Sequence, residues 1–204
     1  MRLILLRHGQ TDWNAQERYQ GRTDIRLNQT GVRQAEEAGR RLAEVRIDRA
    51  FSSPLLRARR TAEIALQGHG LDLTLDDGLM ETAGGSWEGL TYAQISARWP
   101  EDFAAWRAAH PEHGPVGGET PGEAGARVID TLRGHLQDSH ATTALVVAHG
   151  GCLRAAAALL TGGGMESYGR LDRLQNGRMI DVEGTFTPAQ GRVHGDWRVL
   201  RYNV

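Results

Sequence analysis

Short runs of apolar and β-branched residues recur along the chain at 2–6, 49–52, 71–75, 144–148 and 179–182, with 198–202 a further candidate, and each predicts a β-strand. The stretches between most of them carry a helical period. In 30–43 the residues Val32, Ala35, Ala38 and Leu42 share one stripe, and Thr30 is the predicted N-cap. Similar periods predict helices over 55–66, 91–99, 101–109, 120–137 and 151–160. Strands that alternate with helices predict an α/β protein, a three-layer α/β/α sandwich with a mostly parallel central sheet covered on both faces. The expected organisation is one domain over 1–204 with a small helical insertion at about 91–118. That insertion carries Trp99, Phe103 and Trp106 and ends in a Pro/Gly-rich stretch, 110–118. It is either a lid over the strand ends or a pair of helices whose aromatics pack on each other.

Two predicted strands end in histidine. The first runs into Arg7-His8-Gly9-Gln10-Thr11 and the fourth into His149-Gly150-Gly151. In open α/β sheets, ligands collect beyond the carboxyl ends of the strands, so both histidines are expected at the site of chemistry.

Composition narrows the function. The net charge of -1 argues against a general partner among nucleic acids or anionic membranes, so any cationic site is local. The first apolar run is too short for a signal-peptide core, and 145–160 is interrupted by His149 and Arg154, short of the ~18 apolar residues a membrane helix needs. The single cysteine, Cys152, excludes an internal disulfide and fits a reducing, cytoplasmic setting. All 24 basic residues are arginines, which excludes Schiff-base, Walker-type and general-base lysines.

Arginine and histidine suit a phosphomonoester. Its dianion repels nucleophiles, so an enzyme must neutralise it with fixed donors and hold an attacking group in line. Arg7 and Arg57 can grip phosphate oxygens through the guanidinium fork, helix N-termini can add backbone N–H groups, and His149 can support the oxyanion. His8 then remains to attack phosphorus and form a phosphohistidine. Glu81, just after the third strand, can protonate the leaving oxygen and later accept a proton from water, although Asp76, Asp77 and Glu88 are competing carboxyls nearby.

Other chemistries fit less well. No metal-ligand spacing occurs, and His110 and His113 lie in the Pro/Gly segment. A cysteine-phosphatase loop starting at Cys152 needs an arginine at 158, which is alanine, so Cys152 reads as a small buried residue. His69, His110, His113, His135, His140 and His194 read as ordinary surface or core residues, and 162–164 as a helix stop.

These residues resemble the histidine phosphatase superfamily, also called the phosphoglycerate mutase-like family. The likeness rests on Leu6-Arg7-His8-Gly9-Gln10-Thr11 with Asn14, then Gln20-Gly21, Asp24-Ile25-Arg26-Leu27, and Ser52-Ser53-Pro54-Leu55 with Arg57-Ala58 and Thr61-Ala62. Glu81, Trp87-Glu88-Gly89 and 147–151 continue it. The resemblance implies His8 as nucleophile, Glu81 as proton donor, and Arg7, Arg57 and His149 as the phosphate pocket. It also implies Asn14, Gln20, Gly21 and Gly150 beside that pocket and, by a position used in some members, Arg59. Neither a metal nor a cofactor is called for. The expected substrate is a small phosphomonoester, and whether the protein is a monomer or a homodimer stays open.

Mutases of the family generally follow the glutamate with Arg-His-Tyr-Gly, which grips a second anionic group. Here the residues are Thr82-Ala83-Gly84-Gly85, and the chain is shorter than typical mutases. Both features favour hydrolysis over mutase-type transfer. A noncatalytic phosphate-binding module is the third reading, disfavoured because neither His8 nor a proton donor is missing.

Overall fold

A computed structural model describes residues 1–137, 139–186 and 197–204, and the predicted role of His194 lies outside these described residues. The chain forms strands β1 (Arg2–Arg7), β2 (Arg49–Ser52), β3 (Leu73–Leu75), β4 (Thr143–Ala148), β5 (Met179–Glu183) and β6 (Arg198–Tyr202). Its helices are α1 (Asp12–Ala15), α2 (Gln29–Leu42), α3 (Leu56–Ala65), α4 (Tyr92–Arg98), α5 (Pro100–Arg107), α6 (Pro121–Leu136) and α7 (Gly150–Leu160). The strands make one sheet in the order β3-β2-β4-β1-β5-β6.

Alternation along the strands builds the layers. Leu3 and Leu5 of β1 point to one face, where α6 and α7 cover them with Val128, Ile129, Leu132, Leu153 and Ala156. Ile4 and Leu6 point to the other, where α2 and α3 supply Ala38, Leu42, Ala58 and Ala62. On α2 and α3 the sheet-facing residues are mostly alanines, whereas α6 and α7 present larger aliphatic side chains. The result is the expected α/β/α sandwich.

The pairings β1–β4, β2–β4 and β2–β3 are parallel, whereas β5 runs antiparallel to both β1 and β6. The sheet is mostly parallel, with an antiparallel margin that alternation of strand and helix signals did not distinguish.

Helix α2 is capped by Asn28 rather than Thr30. The Asn28 side chain accepts from the Gly31 N–H at 2.9 Å, while Thr30 lies within the first turn and accepts from Arg33. Asparagine reaches the N3 amide well, so the helix begins earlier than its apolar stripe. The third strand starts at Leu73 rather than Leu71.

β1 and β4 are neighbours whose chain connections leave in opposite directions, toward β2 through α2 and toward β5 through α7. A crevice opens at such a point. Arg7 pairs in register with Ala148, so His8 and His149 are the next residues on adjacent strands.

In the 91–118 segment, Trp99, Phe103 and Trp106 pack with Tyr19, Trp87 and Ile95 in a small apolar cluster of their own. Trp106 and Tyr92 also face the crevice at the strand ends.

Candidate active site

The loop that leaves β1 is held at close quarters. A Cβ on Gly9 would stand 2.2 Å from the Gly31 carbonyl oxygen, and one on Gly31 would stand 2.1 Å from that of Gln10, so the loop and the first turn of α2 touch backbone to backbone. Thr61 of α3 pins the same loop: its hydroxyl accepts from the Gly9 N–H at 3.0 Å and donates to the Arg57 carbonyl at 2.7 Å.

His8 is buried, and its Nδ1 lies 2.7 Å from the Gly9 carbonyl oxygen. A carbonyl oxygen only accepts, so Nδ1 carries the hydrogen and Nε2 presents its lone pair. Burial, reinforced by the positive charges of Arg57 and Arg7, lowers the His8 pKa well below the ordinary histidine value. A neutral imidazole is the nucleophilic form. In an NMR titration of the ligand-free protein, the His8 ring signals are expected to stay unchanged as pH falls from 8 through 6.5 and to move only well below it. A midpoint at or above 6.5 would contradict this electrostatic description.

His149 stands edge-on to His8, with ring centroids 5.1 Å apart. Its Nε2 meets the Ser53 hydroxyl at 2.9 Å, and its fully buried Nδ1 has no partner among the described residues. Burial, with Arg57 second, also lowers its pKa. An orphaned buried ring nitrogen is costly unless a ligand satisfies it, and a phosphate oxygen is such a ligand.

Arg57 is 1 % exposed and donates through its two terminal nitrogens to the carbonyls of Thr23 (2.8 Å) and Gly21 (2.7 Å), leaving Nε without a partner. Burial lowers its pKa to about 10, so it remains a cation at neutral pH. Arg7 donates to the Leu174 carbonyl at 2.6 Å and likewise keeps an unpartnered buried Nε. Its guanidinium lies so close to Gly150 that a Cβ there would meet Arg7 Nε at 3.0 Å. Both cations are therefore fixed before any anion arrives.

Glu81 is the one carboxylate among the described residues lining this cleft. Its Oε1 accepts from the Thr82 N–H at 2.9 Å and the Cys152 N–H at 3.0 Å, and its Oε2 from the Gly151 N–H at 3.2 Å. Two amides in the first turn of α7, those of Gly151 and Cys152, thus serve Glu81 rather than standing free for phosphate, because the chain after β3 places a carboxylate at that helix N-terminus. The loop carrying Glu81 is braced from behind by Arg127, which donates to the carbonyls of Gly78 (2.8 Å) and Met80 (3.0 Å) and pairs with Glu119 at 2.9 Å. Of the competing carboxyls, Asp77 does not line the cleft, and the other two are engaged elsewhere. Glu88 accepts from the Gly84 and Arg22 amides and from Thr23, and Asp76 holds the Gly78 amide and His135.

Asn14, Gln20, Gly21 and Gly150 line the cleft with Arg7, His8, Arg57 and Glu81. Asn14 is oriented by Thr11 and Asn176, and the Thr11 hydroxyl donates to the Gln20 side chain at 2.8 Å. Arg59 is not brought to the cleft: it lies half-exposed on α3, paired with Glu63 at 2.9 Å. Cys152 is buried, and burial pushes its thiol pKa up, away from a nucleophilic thiolate.

Sequence reasoning missed Arg18, Arg154, Arg173, Tyr92, Trp106 and Tyr168, all of which line the cleft. Arg154 had a readable signal, since it lies one helical turn after Gly150 and so on the same face of α7. Arg173 sits in an irregular segment with no periodic pattern. Among the described residues no group of three His, Cys, Asp or Glu side chains is placed to hold a metal, and no helix is long and apolar enough to cross a membrane.

Comparison with known proteins agrees with this geometry. Residues 3–194 match the profile of the histidine phosphatase superfamily (branch 1). An uncharacterized phosphatase PhoE of Bacillus subtilis is 34% identical over 99% of this chain and 94% of its own length. A 2,3-bisphosphoglycerate-dependent phosphoglycerate mutase of Methylobacterium is 38% identical over 78% of this chain and 80% of its own. Among solved structures, a mycobacterial glucosyl-3-phosphoglycerate phosphatase complexed with VO3 superposes with a TM-score of 0.90, at 32% identity, over 99% of this chain and 98% of that one. The chain belongs to the histidine phosphatase superfamily.

Proposed function

We propose that the protein is a phosphomonoester hydrolase that works on a small phosphorylated metabolite through a phosphohistidine at His8. The carrying observation is the His8 tautomer, whose unpartnered Nε2 belongs to a ring on the cleft wall beside two fixed arginines. Arg7, Arg57 and the orphaned Nδ1 of His149 hold the phosphate oxygens, with Asn14, Gln20, Gly21 and Gly150 completing the walls. Nε2 attacks phosphorus as the bond to the leaving oxygen breaks, and Glu81, protonated for this step, gives that oxygen its proton. Water then attacks phosphorus and passes its proton to Glu81. The P–N bond breaks, and inorganic phosphate leaves with His8 restored.

Hydrolysis is favoured over transfer to a second substrate by the loop after Glu81. The amides of Ala83 and Gly84 are held by Glu119 and Glu88 at 2.9 Å each, and no cation of this stretch faces the cleft. The 91–118 segment is the proposed cover of the site, with Tyr92 and Trp106 as its cleft-facing residues. A buried lone cysteine is in keeping with a reducing, cytoplasmic setting.

Incubation of the purified protein with p-nitrophenyl phosphate is expected to release phosphate and nitrophenol in equal amounts, unchanged by chelator and inhibited by vanadate, whose five-coordinate geometry imitates the transition state. No turnover between pH 5 and 8 would favour the binding module. Loss of turnover with chelator would favour a metal enzyme.

A further inference from the structure

The cleft holds more positive charge than one phosphate requires. Beyond Arg7 and Arg57 it is lined by Arg18, Arg154 and Arg173, against the single carboxylate of Glu81, which already accepts three backbone hydrogen bonds. Arg18 is turned aside, donating to the Gly89 carbonyl and lying over the Trp13 ring. Arg154 and Arg173 are different.

Arg154 reaches in from α7 and is 8% exposed. One terminal nitrogen donates to the Tyr168 carbonyl at 2.8 Å and the guanidinium lies 4.2 Å from the centroid of the Tyr168 ring, but its buried Nε has no partner. The Arg173 guanidinium lies 5.0 Å over the Trp106 ring and makes no hydrogen bond or ion pair among the described residues. Burial and the like charges of Arg107 and Arg154 lower its pKa, the mark of cations gathered without an acid between them. The cleft wall runs on from His8 and Arg57 to Trp106, Tyr168 and Arg173, beyond the groups that would hold one phosphate. Guanidinium groups crowded without counter-charge repel one another, and an anion that bridges them removes that repulsion while satisfying the orphaned Nε.

We propose that Arg154 and Arg173 form a second anion subsite, so that the substrates are phosphomonoesters that carry another carboxylate or phosphate besides the group removed. This rests on the hydrolase reading above and adds the class of substrate. It also replaces, from α7 and the irregular segment before β5, the second-anion grip that the loop after Glu81 lacks. Planar guanidinium forks suit either anion in two-bond geometry, and the flanking rings of Tyr168 and Trp106 hold the forks in place.

The test is kcat/KM for two matched pairs, 3-phosphoglycerate against glycerol 3-phosphate and fructose 1,6-bisphosphate against fructose 6-phosphate, with p-nitrophenyl phosphate as a common reference. The natural sequence is expected to prefer the doubly anionic member of at least one pair by about tenfold or more, and the responding pair tells carboxylate from phosphate. Arg173→Gln, which removes a guanidinium with no hydrogen bond or ion pair to lose, is expected to bring that ratio toward one, and Arg154→Gln to do the same. A purely structural role would scale both members of a pair alike and leave the ratio unmoved, which would overturn the subsite, as would ratios near one in the natural sequence. Turnover of p-nitrophenyl phosphate without discrimination overturns the subsite alone. No turnover of any phosphate overturns the hydrolase reading with it.

Discussion

His8→Ala is expected to abolish turnover while leaving the fold intact. Loss of an attacking group that no other side chain replaces costs on the order of 10⁴-fold or more in kcat. The nearest candidates are unsuitable: His149 is tied to Ser53, and the Cys152 thiol is held protonated by burial. The fold has little to lose. The His8 ring makes one hydrogen bond, to the carbonyl of its own neighbour, and the contacts that fix the loop run through the backbone of Gly9, Gln10 and Gly31 and the hydroxyl of Thr61. The melting temperature of His8→Ala is expected to lie within a few degrees of the natural protein. Retained turnover would mean that another group attacks. A protein that fails to fold would mean that the imidazole carries structure assigned here to the loop backbone.

Glu81→Gln is expected to discriminate among substrates by leaving group. A glutamine keeps the length of the side chain and one acceptor oxygen for the amides of Thr82 and Cys152, giving up only the 3.2 Å bond from Gly151, but it cannot donate an acidic proton. Alkyl phosphates leave as strongly basic alkoxides and need that proton, so their kcat is expected to fall by about 10²–10⁴-fold. The nitrophenolate of p-nitrophenyl phosphate leaves without much help, and its phosphoryl transfer to His8 is expected to be slowed far less. Burst kinetics separate the two steps: the first turnover stays fast and the steady state slows, because the same residue activates the water. Equal slowing of both substrate classes in the first turnover would remove Glu81 from the role of acid.

Much of this site could be read from the chain because its chemistry is tied to strand ends. Two apolar runs that both end in histidine place those histidines together as soon as the strands are parallel neighbours, and the register of Arg7 with Ala148 is what makes it so. Arg57 was legible because it opens a helix directly after a strand. What was illegible depended on three-dimensional detail without a local signature. The capture of Glu81 by the amides of α7 depends on how the segment after β3 crosses the sheet, and Arg173 faces the cleft from a stretch with neither period. The antiparallel turn of the sheet at β5 was hidden because a buried strand reads the same in both directions. The position of Arg59 on the outer side of α3 followed from helical phase: two residues past Arg57 is about half a turn away.

Attack by His8 is caught by quenching the enzyme within its first turnover of a phosphomonoester labelled in the phosphoryl group and mapping the label. An acid-labile, base-stable phosphoramidate on Nε2 of His8 is expected. Label on any other side chain, or product formed in the first turnover with no covalent label at all, would contradict it.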